Sequence, residues 1–196
     1  MGTLIEDLLT FSRIGQSEMR TTEVNLDQFM QETLSDFQTE TKERNITWEI
    51  HPMPVIWANR ALLRIALVNL ISNAVKFTGK RVQARIEIGC APSGDEETVL
   101  FIRDNGAGFN PKYTGKLFGV FRRLHSHDDF EGTGLGLANV RRIIEGHGGR
   151  TWAEGVVDGG ATFYFSIPKK TAEAGVIPEP SHSESSSVPP ALSNRP

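Results

Sequence analysis

Two glycine-rich motifs constrain this chain more than any other part of its sequence. Residues 104–108 follow an apolar, strand-like run, and residues 132–137 open a segment whose apolar residues have helical spacing. Glycine lets the backbone approach a ligand closely and adopt positive φ. A glycine loop that ends at a helix N-terminus presents free N–H groups and the positive end of the helix dipole to phosphate. The two motifs therefore predict a nucleotide that is held at both of its ends.

Length and composition exclude several broad classes of protein. The 196 residues suffice for one domain with a substantial core. A net charge of −3 gives no electrostatic basis for binding nucleic acid or an anionic membrane. A single cysteine, Cys90, excludes an internal disulfide and fits a reducing compartment. Because no apolar run reaches transmembrane length and no secretory signal is visible, we expect a cytoplasmic domain that does not insert into a membrane.

The N-terminal half is predicted to alternate between helices and short strands. Residues 4–14 have helical spacing, residues 15–24 are predicted to be a linker, and a helix capped by Asn25 or Asp27 runs to about Arg44. The apolar stripe on residues 4–14 packs either on its own domain or on a partner helix, for example from a second copy. The elements predicted next are a strand at 46–50, a strand at 55–57 and a long helix from Arg60 to about Phe77 with Asn59 as its N-cap.

The C-terminal half is predicted to be rich in strands and to end in a disordered tail. Its predicted elements are strands at 82–88 and 99–102, a helix at 135–147 and a hairpin of strands at 150–153 and 161–167. Residues 171–196 hold five of the ten prolines and almost no large apolar side chains. Such a segment cannot bury enough surface to order itself.

Three polar residues share one stripe of the long predicted helix. Asn69, Asn73 and Lys76 are spaced i, i+4 and i+7 on a helix that is otherwise largely apolar. Asparagine carbonyls are hard oxygen ligands suited to Mg²⁺, and a lysine one turn further on can meet a phosphate. A helix face with a satisfied core asparagine is the alternative.

Asp104 offers a means of choosing between purine bases. An ionised carboxylate accepts hydrogen bonds and cannot donate them. Adenine presents an amine donor where guanine presents a carbonyl acceptor, so a fixed Asp104 would select adenine and repel guanine. A strand followed by aspartate and glycines is also common in tight turns that bind nothing.

The ordered set of motifs resembles the conserved boxes of sensor histidine kinases. Residues 69–78, 104–109, 117–124, 132–137 and 159–162 are similar, in this order, to the N, G1, F and G2 boxes and the last glycine-threonine box of that family. The resemblance covers roughly residues 25–168. Residues 121–126 and 130–134 look most like the phytochrome-type branch.

The resemblance implies a fold of the Bergerat type, shared by the GHKL superfamily. This fold is an α/β (α+β) two-layer sandwich in which helices cover one face of a mixed sheet. Residues from about Asn110 to Thr133 would form a mobile lid over the nucleotide, with Phe118 and Phe121 as its packing anchors.

The resemblance also implies a role for each matched residue, with ATP and Mg²⁺ as the cofactors. Asn73 would bind Mg²⁺ with the help of Asn69, Lys76 would meet phosphate, and Arg122 or Arg123 would reach the γ-phosphate. A solvated charge remains the alternative for at least one of these arginines. The remaining positions of the implied ATP site are Phe77 lining the adenine pocket, Asp104 taking the adenine amine, Gly106 and Gly108 shaping that wall, Thr162 supporting it, and Gly132, Thr133, Gly134, Leu135, Gly136 and Leu137 at the phosphates.

The phosphoacceptor histidine of the family has no counterpart in this chain. None of the histidines at 51, 125, 127, 147 and 182 precedes residue 69 in a helix with an acidic neighbour. Residues 4–14 resemble only the end of the second dimerisation helix. We therefore expect residues 1–20 to be a helix end plus linker, residues 21–170 the catalytic domain and residues 171–196 a tail. The expected partners are the dimerisation helix of the parent bacterial kinase, which would be a homodimer, and a response regulator.

The residues favour phosphoryl transfer over hydrolysis. Hydrolysing ATPases of the same fold place a glutamate four residues before the magnesium asparagine, as the base that activates water. Here that position is Asn69, an amide that cannot take a proton. Transfer needs mainly positioning and charge neutralisation. The alternatives are a nucleotide-binding regulatory module without transfer and an ATPase of the GHKL type.

Overall fold

A computed structural model of the protein describes residues 2–15, 19–122 and 132–169. Along the chain its elements are α1 (Gly2–Ile14), β1 (Thr22–Asn25), α2 (Leu26–Ser35), α3 (Gln38–Thr41), β2 (Ile46–Ile50), β3 (Val55–Ala58), α4 (Arg60–Phe77), β4 (Ala84–Ala91), β5 (Glu97–Asp104), a 3-10 helix (Pro111–Lys116), α5 (Gly136–Gly146), β6 (Thr151–Val156) and β7 (Gly160–Pro168).

The central sheet has five strands in the order β2-β4-β5-β7-β6. β2 and β4 are parallel, whereas the other neighbouring pairs are antiparallel. Parallel neighbours require a crossover connection, and here β3 and α4 provide it. β3 also pairs with β1 in a separate two-stranded antiparallel sheet.

The core lies between one face of the sheet and the helices. α4 is apolar around most of its circumference, and its buried residues are Leu62, Leu63, Ala66, Leu67, Leu70, Ile71, Ala74 and Val75. They share one cluster with inward-facing strand residues such as Ile86, Ile102 and Phe165. Each large apolar side chain that is fully buried contributes about 1.5–3 kcal/mol. Packing of this kind, rather than helix propensity, holds α4 in place.

The opposite face of the sheet carries charged and aromatic side chains. Glu87 lies 3.0 Å from both the Arg103 guanidinium and the His51 ring nitrogen. Trp152 stacks on Tyr164 with their ring centroids 5.2 Å apart. Half-exposed ion pairs contribute little to stability, so this face is solvated rather than a second core. The predicted two-layer α/β sandwich, a mixed sheet with helices on one face, is confirmed.

Local signals set the ends of α4 where the sequence predicts them. Asn59 has extended backbone angles, and its side-chain oxygen accepts a hydrogen bond from the Leu62 N–H at 3.1 Å. At the other end the buried Thr78 hydroxyl donates to the Ala74 carbonyl at 2.8 Å. The predicted helix from Arg60 to Phe77 is confirmed, as are the hairpin, which is β6 and β7, and the helix near 135–147, which is α5.

The helix predicted to reach Arg44 ends early. α2 stops at Ser35, and only Gln38–Thr41 is helical beyond it. Phe37 lies at the break, is 6% exposed and donates its N–H to the Leu34 carbonyl at 3.0 Å. Burying this ring turns the chain, so a continuous helix is lost although the propensities favour one.

The predicted linker at 15–24 is also partly wrong, because its end belongs to β1. Val24 is completely buried and lies opposite Ile56 of β3. Only one apolar residue occurs among the four of β1, so no alternation was visible in the sequence. The predicted tail at 171–196 lies outside the described residues.

The cap at Asn59 can be tested by substitution. We expect Asn59→Ala to lower the free energy of unfolding by about 1 kcal/mol, because the Leu62 N–H loses its acceptor. Asn59→Asp keeps an acceptor and is expected to stay close to wild type. Urea denaturation of both variants measures the difference, and an equal loss in both would contradict the assignment.

Candidate functional site

The polar stripe of α4 faces the start of α5. The Asn69 amide nitrogen donates to the Ile65 carbonyl at 2.8 Å, which leaves the Asn69 side-chain oxygen as an outward acceptor. A Cβ atom at Gly136 would lie 2.6 Å from that oxygen. Glycine at 136 therefore allows the first turn of α5 to approach Asn69 closely. Asn73, one turn further along the stripe, is half-buried.

Lys76 connects this stripe with the glycine segment and with Phe77. Its ammonium group lies 4.5 Å from the centroid of the Phe77 ring. A Cβ atom at Gly132 would be 3.3 Å from the same ammonium. The structure therefore brings Asn69 and Lys76 close to the glycine segment, and their contact with phosphate stays a prediction.

The predicted phosphate segment leads directly into α5. Gly134 has φ of 77°, a conformation that favours glycine. Leu135 is buried, and its N–H donates to the Thr133 hydroxyl oxygen at 3.4 Å. The next residue, Gly136, is the first residue of α5. Leu137 is partly buried against the core. The N-terminal N–H groups of α5 and its dipole are thus placed beside the asparagine stripe.

Asp104 lies at the far end of the site, where β5 stops. It is 4% exposed, and its side-chain oxygen accepts a hydrogen bond from the Gly106 N–H at 2.8 Å. The next residue, Ala107, donates its N–H to the Phe77 carbonyl at 3.1 Å. Gly108 has φ of 61°, and a Cβ atom there would collide with the Val156 carbonyl. The turn after Asp104 is therefore fixed between the end of α4 and the β6–β7 hairpin.

The surroundings of Asp104 make its carboxyl group unusual. Burial raises the pKa of Asp104 to about 6, because the charged form loses its solvation. Hydrogen bonds from the Gly106 and Ala161 N–H groups and the nearby positive charge of Arg81 act in the opposite direction. The result is a buried acceptor that is mostly ionised at neutral pH.

The described part of the region predicted to be the lid packs against the core. Asn110 caps the 3-10 helix, and Phe118 is 9% exposed with its ring edge-on to Phe163 at 6.4 Å. Phe121 is different: it is 57% exposed with φ of 58°. The prediction that Phe118 packs is confirmed, whereas the prediction of a packing anchor at Phe121 is wrong.

The two candidate arginines of the lid differ in what the structure describes. Arg122 is exposed, and its N–H donates to the Gly119 carbonyl at 3.3 Å. Arg123 belongs to residues 123–131, which lie outside the described part of the chain. Contact of either arginine with phosphate therefore stays a prediction, as does the mobility of the lid.

Thr162 does not lie where the resemblance implied. Strand pairing sets it opposite Arg103, whose Nε donates to the Thr162 hydroxyl at 3.2 Å. Asp104 pairs with Ala161 instead. Side chains alternate along a strand, so Thr162 points to the solvated face of the sheet and Asp104 to the core. The expected support of the adenine site by the Thr162 hydroxyl is corrected accordingly.

Sequence reasoning missed three residues around this site. Arg81 donates to the carbonyls of Gly106 and Asp158. Asp7 of α1 accepts a hydrogen bond from the Thr133 hydroxyl at 2.5 Å. Asn139 of α5 is 2% exposed, and its side-chain oxygen has no partner among the described residues. The contacts of Arg81 and Asp7 join distant parts of the chain, so spacing alone gave no signal for them.

The fold and the site together define a two-layer nucleotide-binding domain with a buried carboxylate at one end and a glycine segment before a helix at the other. Residues 58–171 match the family described as "Histidine kinase-, DNA gyrase B-, and HSP90-like ATPase". The chain belongs to this family of ATPase domains, which bind ATP.

The curated relatives include sensor kinases. The chain is 34% identical over 168 residues to the phytochrome-like protein Cph1 of Synechocystis sp.. The matched region covers 86% of this chain and 22% of that protein. It is 39% identical over 169 residues to the methanogenesis regulatory histidine kinase FilI of Methanothrix harundinacea, with 86% of this chain and 19% of that protein covered. The chain thus spans about a fifth of these relatives, and the resemblance to phytochrome-type kinases is confirmed.

Solved structures of histidine kinases share the fold. Full-length ShkA in complex with AMPPNP has a TM-score of 0.71 at 28% identity and covers 86% of this chain and 36% of its own. The nucleotide-free catalytic domain of ThkA has a TM-score of 0.64 at 28% identity and covers 77% of this chain and 99% of its own. The fold is therefore that of a histidine kinase catalytic domain. No helix in the described ranges is long and apolar enough to cross a membrane.

The burial of Asp104 makes a prediction about stability and pH. The folded state holds a proton with a pKa of about 6, whereas the unfolded carboxyl releases it near 3.8. Wild type should therefore lose stability relative to Asp104→Asn as the pH rises from about 4 to above 6, by roughly 3 kcal/mol. Urea denaturation of both proteins across this range measures the difference. A gap that does not change with pH would refute the burial of an ionisable Asp104.

Proposed function

We propose that this chain is the ATP·Mg²⁺-binding catalytic domain of a sensor histidine kinase, which transfers the γ-phosphoryl group to a histidine on a helix outside this chain. One observation carries the proposal: a single helix, α4, contacts the buried Asp104 turn at Phe77 and the glycine segment at Asn69. These two contacts are separated by about 12 Å along the helix axis, a span suited to a nucleoside triphosphate.

The base would lie at the Asp104 end of this span. An ionised Asp104 accepts a hydrogen bond from the adenine amine and repels the carbonyl oxygen of guanine. Phe77, whose carbonyl accepts from the Ala107 N–H of this turn, would offer its ring as an apolar surface. Because the carboxylate is buried and already fixed by the Gly106 N–H, little reorganisation is needed when the base arrives.

The phosphates would lie between the α4 stripe and α5. The outward oxygen of Asn69 and the amide of Asn73 suit Mg²⁺, a hard ion that prefers oxygen ligands and phosphates. Mg²⁺, when bound, would supply charge neutralisation to the phosphates. Lys76 adds a point charge, and the N–H groups at the start of α5 add hydrogen bonds. Arg122 or Arg123 would join them when the lid closes.

The residue types support transfer rather than hydrolysis. Asn69 occupies the position of the general base in hydrolysing relatives and cannot accept a proton. The side chains of the stripe can position the phosphates and neutralise their charge, and phosphoryl transfer requires mainly these two things. The acceptor hydroxyl or imidazole must therefore come from the substrate, which in this proposal is a histidine.

We assign α1 to the end of a dimerisation helix of a longer, cytoplasmic bacterial kinase. Its apolar residues Leu4, Ile5, Leu8 and Leu9 are 40–59% exposed, which supports a partner helix. The Arg142 guanidinium lies 4.5 Å from the Phe11 ring and joins α1 to α5. A homodimer and a response regulator complete the proposed assembly; a solved structure of ThkA contains its response regulator TrrA.

Nucleotide binding is the first test of this proposal. Calorimetry with AMPPNP and Mg²⁺ should show binding to the wild-type chain. Asp104→Asn should weaken it about 10- to 100-fold, because a hydrogen bond to a charged acceptor is lost. Asp95→Asn, which removes an exposed carboxylate between β4 and β5, is the matched control and should bind as wild type. Equal affinity of Asp104→Asn and wild type would sink the adenine assignment.

Phosphoryl transfer is tested with γ-labelled ATP. The chain alone should stay unlabelled, whereas an added dimerisation domain with a phosphoacceptor histidine should become labelled. Asn73→Ala should abolish that label, and Ser72→Ala, on the exposed side of the same turn, should not.

Other outcomes would select the alternatives. If a histidine of the chain itself became labelled, the inference that this chain contains no phosphoacceptor histidine would be wrong. Nucleotide binding without any transfer would favour a regulatory module. Release of phosphate by the chain alone, abolished by Asn69→Ala, would favour an ATPase.

A further inference from the structure

Asp7 of α1 lies against the glycine segment that leads into α5. Its carboxylate accepts a hydrogen bond from the Thr133 hydroxyl at 2.5 Å, although the two residues are 126 positions apart. The Thr133 hydroxyl oxygen in turn accepts from the Leu135 N–H, directly before the first residue of α5. A negative charge from a distant helix is therefore held beside the N-terminus of α5.

One stripe of α1 brings Asp7 to this position. Asp7, Phe11 and Ile14 are spaced i, i+4 and i+7, so they share one side of the helix. Ile14 is 6% exposed and belongs to the core cluster. The Arg142 guanidinium of α5 lies 4.5 Å from the Phe11 ring. The C-terminal half of α1 is thus anchored by packing, and Asp7 extends the contact to the glycine segment.

The N-terminus of α5 favours an anion at this place. It combines free N–H groups with the positive end of the helix dipole. The first turn of α5 contains no acidic residue of its own, so Asp7 supplies a negative charge from another helix. In the proposed function, the phosphates of the nucleotide bring negative charge to the same glycine segment. The carboxylate and the phosphates are therefore two anions directed at one place.

We propose that Asp7 is an autoinhibitory residue, whose carboxylate competes with the phosphates of the nucleotide for the Thr133 hydroxyl. This inference rests on the function proposed above, since it concerns the same glycine segment. A hydroxyl group has one hydrogen, so it cannot donate to Asp7 and to a phosphate oxygen at once. A carboxylate beside the phosphates also repels them, and at this half-buried contact water and salt screen the repulsion only in part.

This competition links the position of α1 to nucleotide binding. A nucleotide that carries phosphates binds more tightly once Asp7 has left Thr133. By thermodynamic linkage, the bound phosphates weaken the contact of α1 with the glycine segment to the same extent. Adenosine has no phosphate and lacks both effects. A movement of α1 in a longer protein would therefore change the affinity for ATP while every group that binds ATP stays the same.

Variants of Asp7 separate its charge from its hydrogen bond. Asp7→Asn removes the charge and keeps the size of the side chain and an acceptor. Asp7→Ala removes both the charge and the acceptor, and alanine suits a helix. Glu43→Gln removes an exposed negative charge between α3 and β2 and is the matched control. Amide NMR spectra verify the fold of each variant, and Asp7→Ala provides the neutral protein if Asp7→Asn does not fold.

Calorimetry with AMPPNP and Mg²⁺, and separately with adenosine, tests the inference. We expect both Asp7 variants to bind AMPPNP about three- to tenfold more tightly than wild type, because a negative charge has left the phosphate end. Their affinity for adenosine should not change, and Glu43→Gln should bind both ligands as wild type. In a Thr133→Val background the gain from Asp7→Ala should shrink, because the hydroxyl that holds the carboxylate is gone.

The outcomes distinguish this inference from the function on which it rests. If wild type binds AMPPNP and the Asp7 variants bind it equally or more weakly, only the role of Asp7 is overturned. Equal gains for AMPPNP and adenosine also overturn it, because the effect would not depend on phosphate. A gain that is undiminished in Thr133→Val contradicts competition for the hydroxyl. If neither wild type nor the Asp7 variants bind AMPPNP, the proposed function fails and this inference fails with it.

Discussion

Direct contact between the backbone of the Asp104 turn and the backbone of the β6–β7 turn fixes the position of Asp104. The rest of the site depends on this contact. A Cβ atom at Gly160 would collide with the Asp104 carbonyl, and one at Gly108 would collide with the Val156 carbonyl. The Asp158 N–H donates to the Ala107 carbonyl at 2.8 Å across the same contact. The main chain around Asp104 is held by these contacts, and the hydrogen bond from the Gly106 N–H at 2.8 Å sets the direction of the carboxylate.

α4 links this rigid point to the core and to the glycine segment at 132–136. Its buried residues fill the space above the sheet, while Asn69, Asn73 and Lys76 follow one line on the side that faces α5. The same helix is thus held by packing of several kcal/mol and presents the polar groups of the site. A shift of α4 along its axis would move the stripe relative to Gly136 and break its contact with the Asp104 turn. The packing that holds α4 in the core therefore also fixes the relative positions of the groups in the site.

Predictions from the sequence were right for elements set by local signals and wrong for residues whose position depends on contacts between distant segments. The bounds of α4 follow from an N-cap and apolar periodicity, and the likeness of Asp104 and its glycines to a known box needs no tertiary knowledge. Thr162 was misplaced because a one-residue step along β7 changes the face of the sheet, and the box itself does not state its register with β5. β1 holds one buried residue, and Arg81 acts through backbone carbonyls of distant turns, so neither leaves a pattern in the sequence.

The burial of Asp104 lowers the stability of the fold, and in the proposed function it aids recognition of the base. Placing an ionised carboxylate in a buried turn destabilises the fold, because the charge loses its solvation. In the proposed function the same burial would give the carboxylate its power to discriminate between bases, since water could replace either base at an exposed acid. The N–H groups of Gly106 and Ala161 and the charge of Arg81 offset the loss only in part, which leaves the pKa near 6 rather than near 4. Full compensation would require a closer cation, and in the proposed function that cation would compete with the adenine amine for the carboxylate oxygens. A buried acid whose charge is only partly compensated is therefore compatible with the proposed role, in which Asp104 must stay accessible to a base.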